Sequence, residues 1–300
     1  MTLSFTAGEV RVRVPATSAN LGPGYDSLGL ALDLYDEITA RVTPGGVTVE
    51  VSGEGAGDVP RSEDHLVVRA MHAAFDHIGG RPPGLALRCV NRIPHARGLG
   101  SSSGAIVGGV LAARALHVDG DGLLDDAAVL RLASGLEGHP DNVAPCLLGG
   151  FTIAWTSSDG AHAVRLQPSP EVRPVVFVPD QRGLTAQARG LLPERVPHVD
   201  AAANVARAAL LVHALTSDPT LLLTATEDRL HQGYRAPAME RSAALMHHLR
   251  AAGVPAVVSG AGPTVLALAK PGEDLAGFAA DGFSCRSLDV ATSGAQLVTG

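Results

Sequence analysis

Valine alternates with arginine over residues 10–14, a period of two that predicts a strand with one face in a core. Residues 30–41, 47–51 and 85–90 read as further strands. Between the last two, Leu66, Val67, Ala70, Ala73, Ala74 and Ile78 recur at helical spacing. They predict a helix over residues 65–78 that stops at Gly79-Gly80. A glycine-rich loop then runs into a helix of small residues, followed by a second helix over 125–136 and a strand over 151–155. Three prolines within residues 167–174 place a domain junction. Beyond it come a strand over 175–178, helices over 201–215, 221–230 and 239–251, and strands over 254–258 and 265–269. Strands and helices mix without strict alternation, so the expected class is α+β, with two domains at 1–167 and 168–300.

Charge and composition narrow what such a chain can do. With 23 Lys+Arg against 30 Asp+Glu the net charge is −7, which argues against a nucleic-acid partner. No apolar stretch is long enough to suggest a membrane span, and the N-terminus shows no export pattern. Cys89, Cys146 and Cys285 are scattered, with neither metal spacing nor a disulfide framework, which fits a reducing cytoplasm. Lys270 is the only lysine. A P-loop is therefore excluded, and so is a protein-kinase fold with its strand lysine. Any phosphate must be held by backbone amides, arginines or hydroxyls.

Four segments could carry chemistry. In Pro94-His95-Ala96-Arg97-Gly98-Leu99-Gly100-Ser101-Ser102-Ser103-Gly104, two glycines turn and serines open a helix. Glycine lets main-chain N–H groups approach a ligand, and a helix start offers unpaired N–H groups and a positive dipole end. The string reads equally as an anion cradle and as a capped helix. A serine hydroxyl there could also bind Mg²⁺, a hard cation that favours oxygen. Residues 15–29 form a long polar loop in which Asn20 and Asp26 offer acceptors; a plain surface turn is the competing reading. Glu137-Gly138-His139-Pro140-Asp141-Asn142 gathers two carboxylates, an imidazole and an amide, suited to a metal, a proton transfer, a polar substrate or simply a helix cap. Ser259-Gly260-Ala261-Gly262-Pro263-Thr264 is by itself a turn between strands. Arg189 and Arg235 each stand near hydroxyl or amide groups and could grip a carboxylate.

Taken in order, PATSANLGPGYDSLGLAL, PHARGLGSSSG, EGHPDNVAPCLLGGF, TEDRLHQGYRAPAM and SGAGPTVLAL resemble the GHMP kinase superfamily and, within it, the homoserine-phosphorylating branch. The match runs from about residue 10 to 268. The resemblance implies a ribosomal S5 domain 2-like N-terminal domain and a ferredoxin-like C-terminal domain. It further implies transfer of a phosphoryl group from ATP, with Mg²⁺, to the hydroxyl of L-homoserine, giving O-phospho-L-homoserine on the route to threonine. By position, Pro94–Gly104 would cover the ATP phosphates, with Ser102 and Glu137 near the metal. Asn20, Asp26, His139, Asn142, Thr185, Arg189, Arg235 and Gly260 would hold homoserine, the arginines at its carboxylate. Asp141, Asn142, Ser102 and Arg189 would act in catalysis, with proton abstraction by Asp141 left open. A homodimer is the implied assembly. One departure stands out: Gly135 occupies a position where the resemblance leads to the expectation of a Mg²⁺-binding glutamate. The alternative is therefore a catalytically impaired paralogue that binds nucleotide and amino acid without turnover.

Overall fold

The computed structural model describes residues 4–183 and 185–298, without the side chains of 184–187. The first half runs β1 (Val10–Ala19), β2 (Leu28–Thr43), β3 (Gly46–Gly53), α1 (Leu66–Ile78), β4 (Gly84–Asn91), α2 (Ser101–Leu116), α3 (Gly120–Leu123), α4 (Asp126–Glu137), α5 (Val143–Leu148), β5 (Phe151–Ser157) and β6 (Gly160–Leu166). The second runs β7 (Arg173–Pro179), α6 (Thr185–Gly190), α7 (His198–Thr216), α8 (Leu222–Ala225), α9 (Gln232–Arg235), α10 (Glu240–Ala251), β8 (Ala256–Val258), β9 (Val265–Ala269), β10 (Phe283–Ser287) and β11 (Gln296–Leu297).

The first sheet has the order β11-β1-β2-β4-β3, with β5 pairing both β2 and β6. Only β3 and β4 pair in parallel, with α1 as their crossover. In β1 the arginines at 11 and 13 face solvent while Val12 and Val14 are buried, as the alternation requires. The register of β1 against β2 slips between Pro15 and Ala16, where a bulge accommodates a proline that cannot donate to the ladder. The strand therefore continues to Ala19, and the expected loop shrinks to residues 20–27. The chain end returns to this sheet, where β11 pairs Leu297 with Val12.

The second sheet, β10-β7-β9-β8, is antiparallel throughout. Its two faces split by parity. Val176, Val178, Leu266 and Leu268 join Leu21, Leu30, Ile93, Leu99 and Phe151 in a core shared with the first half. Val175, Phe177, Val265 and Ala267 turn the other way, onto Leu245, Met246 and Leu249 of α10. The shared core seats the two halves on each other and so sets the width of the cleft between them.

The helix expected over 221–230 is cut to four residues, Leu222–Ala225. Asp228 stops it. Its carboxylate accepts from the N–H groups of Leu230, His231 and Gln232, which turns the chain and starts α9 instead. Strands β6, β10 and β11 are additions to the sequence reading. No helix among the described residues is long and apolar enough to cross a membrane.

Candidate active site

A cavity of about 440 Å³ opens between the two halves and is lined from both. All four candidate segments reach it, as do Arg189 and Arg235.

Its floor is the loop from Pro94 to Gly100. Ala96, Gly98 and Gly100 all have positive φ, at 53°, 80° and 71°. The glycines are needed here for packing within the protein itself. A Cβ on Gly98 would lie 2.2 Å from the carbonyl oxygen of Ser259, and one on Gly100 would lie 1.9 Å from Thr17 Oγ1. Close packing against the protein itself excludes a side chain. The second half pins the loop: the Ser259 hydroxyl donates to Gly98 O (2.6 Å), Thr264 N–H to Arg97 O (3.1 Å) and Gly183 N–H to Ala96 O (2.8 Å). The Arg97 guanidinium is occupied with the carbonyls of His95, Pro179 and Asp180, so its side chain holds the loop rather than facing a ligand.

Helix α2 starts at Ser101, with Gly100 as its left-handed N-cap and no side chain capping its first turn. A 16-residue helix thus presents uncapped N–H groups and its positive end at the cavity, the arrangement that binds anions without lysine. Beside it, Glu137 Oε1 accepts from Ser102 Oγ (2.6 Å) and Ser103 Oγ (2.7 Å). Ser102 and Glu137 line the cavity, whereas Ser103 is fully buried and a Cβ on Gly104 would lie 3.4 Å from Val14 Cγ2. A carboxylate and a hydroxyl side by side at an anion site suit a hard divalent cation that takes its remaining ligands from phosphate and water.

Gly135 does not disturb this pair. It is exposed, and a Cβ there meets nothing within 4 Å. Two residues along a helix is a rotation of about 200°, so position 135 faces away from the serines that Glu137 touches. Gly135 therefore stands clear of the serines, and the carboxylate that touches them is that of Glu137.

The opposite end of the cavity is polar and crowded. Asn20 (φ 68°) donates from Nδ2 to Gly260 O (2.9 Å) and accepts from Asp26 N–H (2.9 Å), so it joins the first loop to the last. Asp26 pairs bidentately with Arg189 at 2.8 and 3.1 Å, and Arg189 also donates to the Tyr25 hydroxyl at 3.1 Å. His139 Nδ1 is hydrogen-bonded to Asp141, which is 2% exposed. Burial opposes a charged His139, but the hydrogen bond and charge of Asp141, aided by Glu137, outweigh it and raise the imidazole pKa. Thr17 Oγ1 donates to Asn142 Oδ1 (2.8 Å), which leaves the Asn142 amide N–H₂ for the cavity. Arg235 is 2% exposed; it contacts the Ala188 and Gly260 carbonyls and His231 Nδ1, and has no carboxylate partner among the described residues. The Thr185 side chain lies outside the described residues.

Three neighbours were not singled out from the sequence. Tyr25 lies under both arginines, with Arg189 Cζ 5.8 Å and Arg235 Cζ 5.3 Å from its ring. His231 is fully buried behind Arg235. Asp36 lines the cavity near the loop start and accepts from Arg92 N–H (2.6 Å) and Ile93 N–H (2.9 Å). A signal for Asp36 existed: it shares the parity of buried Ile38 and Ala40 on β2, a carboxylate at a core-facing position.

A two-sheet fold with an uncapped helix start over a cleft is the architecture of a small-molecule kinase, and residues 65–150 match the family model for the GHMP kinases N terminal domain. The homoserine kinase of Streptomyces avermitilis is 58% identical over 297 residues, covering 98% of this chain and 97% of that protein. That of Streptomyces coelicolor is 63% identical over 266 residues, 89% of this chain and 86% of the other. The crystal structure of homoserine kinase from Cytophaga hutchinsonii superposes with a TM-score of 0.83 at 26% identity, covering 98% of each chain. The chain belongs to the homoserine kinase family of GHMP kinases.

Proposed function

We propose that this chain transfers the γ-phosphoryl group of ATP to the hydroxyl of L-homoserine. The observation that carries the reading is that an uncapped helix N-terminus and a buried guanidinium, with no carboxylate partner among the described residues, open into one cavity. The first suits a polyphosphate, the second the α-carboxylate of an amino acid. The ammonium end would lie against the Asn20–Asp26 loop.

In this reading Pro94–Gly104 cover the phosphates with main-chain N–H groups. Ser102 and Glu137 would hold Mg²⁺, which neutralises phosphate charge when bound. Arg235 fixes the carboxylate, with Thr185, Arg189 and Gly260 beside it. Asn142 and His139 line the path of the hydroxyl. As the new O–P bond forms and the bond to the ADP leaving oxygen breaks, the hydroxyl proton leaves toward the Asp141 carboxylate. Phosphoryl transfer asks mainly for alignment and charge stabilisation, which a preformed pocket supplies. Gly135 gives no support to an impaired paralogue, because the carboxylate at the serines is present. We also infer a cytoplasmic homodimer, in keeping with three free cysteines; light scattering in solution tests the assembly.

The test of the activity is ADP release over a panel of alcohols. L-Homoserine should turn over, and mevalonate and galactose should not. Turnover of galactose or mevalonate without homoserine would overturn the substrate.

A further inference from the structure

The ring of His231 has both nitrogens engaged and no exposure. Arg235 Nη1 lies 3.2 Å from Nδ1, and the Gly22 carbonyl oxygen 2.7 Å from Nε2. A guanidinium only donates, so Nδ1 must accept and the one ring proton sits on Nε2, donated to Gly22. This fixes a neutral tautomer. A charged ring would set an N–H against the Arg235 N–H. Burial lowers the His231 pKa in the same direction, and Asp228, whose carboxylate is 3.8 Å from Nε2, is engaged by three backbone N–H groups. The other charged or titratable groups on this side are Tyr25, whose ring lies 5.2 Å from that of His231, and Asp26, already paired with Arg189.

Gly22 belongs to the short loop that carries Asn20 and Asp26. Its position is fixed: at φ +85°, a Cβ there would lie 2.7 Å from the Thr226 carbonyl oxygen. His231 therefore spans from the loop facing the ammonium end to the cation facing the carboxylate end.

We propose that His231 is a positioning residue that sets the spacing between Arg235 and the Asn20–Asp26 loop, and so selects substrates carrying both an ammonium and a carboxylate. The inference rests on the reading that Arg235 binds the α-carboxylate.

His231→Phe keeps an aromatic ring against Tyr25 and removes both hydrogen bonds. It should raise KM for L-homoserine roughly 10- to 100-fold, the range for a hydrogen bond to a charged group. KM for ATP should stay within about twofold and kcat within about threefold, since neither nucleotide nor reacting hydroxyl touches His231. His231→Gln offers one donor and one acceptor and should recover most of the loss. Turnover of 3-aminopropan-1-ol, which lacks the carboxylate, should be slow and indifferent to His231→Phe. Equal damage to both alcohols, or an unchanged homoserine KM, would overturn the proposal. If Arg235→Leu leaves homoserine KM unchanged, the reading beneath it fails instead. Should the Phe variant not fold, His231→Asn, too short to reach both partners, takes its place with the same outcomes.

Discussion

Asp36 sits at the cavity wall with a carboxylate whose pKa burial pushes up to about 6 from an ordinary 3.8, against the opposing hydrogen bonds from Ile93 and Arg92. The sign follows directly. Because the folded protein holds this proton more tightly than the unfolded chain, the group weighs against folding once it ionises, and the penalty lifts as pH falls through 6 toward 3.8. Asn at this position resembles the neutral acid in size and still offers an oxygen to both N–H groups. Two pKa units correspond to about 3 kcal/mol, and Asp36 is buried enough that little is lost to solvent screening. Asp36→Asn should therefore be more stable than the parent by about 3 kcal/mol at pH 8 and about 1.5 kcal/mol at pH 5. Urea melts of both proteins across pH 5–8 give the difference directly, with other titrating groups cancelling. A variant less stable at pH 8, or a difference flat with pH, would refute the claim that an ionised carboxylate is held there at a cost. KM for ATP should move little, because the exit of β4 into the loop stays tied.

The remaining predictions concern the site. Arg235→Leu should lower kcat/KM for homoserine by about 2–4 kcal/mol in transition-state terms, with ATP affinity kept; initial-rate kinetics with each substrate varied reads both. Glu137→Ala should weaken Mg²⁺ affinity, read as a shift of the activity curve to roughly 10- to 100-fold higher Mg²⁺ concentration. Gly135→Glu should leave kcat unchanged and raise stability by up to about 1 kcal/mol through helix propensity; a large rise in kcat would restore the idea of a vacant metal position. Gly100→Ala places a methyl against Thr17 Oγ1 and costs at least about 1 kcal/mol of left-handed strain. Both Tm and kcat should fall, as Thr17 is driven off Asn142.

The cavity's contents were legible because each segment is local: glycines, serines and carboxylates close in sequence stay close in space. The pairings were not. Arg189 meets Asp26 across 163 residues and Arg97 meets Pro179 across 82, and no periodicity encodes such encounters. The cut in the 221–230 helix was hidden because the apolar spacing there is helical, while one carboxylate at Asp228 outbids it for three N–H groups. That Gly135 stands clear of the serines was legible as well. Ala133 and Ser134 face the core of α4 and share that side with Glu137, which places 135 opposite by helical geometry alone.

Charge bookkeeping within the cavity tells what it is built to receive. Asp26 is cancelled by Arg189, and Asp141 is held by a His139 biased toward its charged form. Beside these, Glu137 is held only by hydroxyls next to the start of α2, and Arg235 is buried against carbonyls and a neutral imidazole; neither has an opposite charge as partner among the described residues. A buried unpaired cation costs stability unless a ligand anion completes it. A carboxylate-bearing substrate at one end and a cation-bridged polyphosphate at the other would satisfy both. An alcohol lacking the carboxylate would leave Arg235 as it stands, so discrimination against it comes from the price of that empty guanidinium as much as from any contact made.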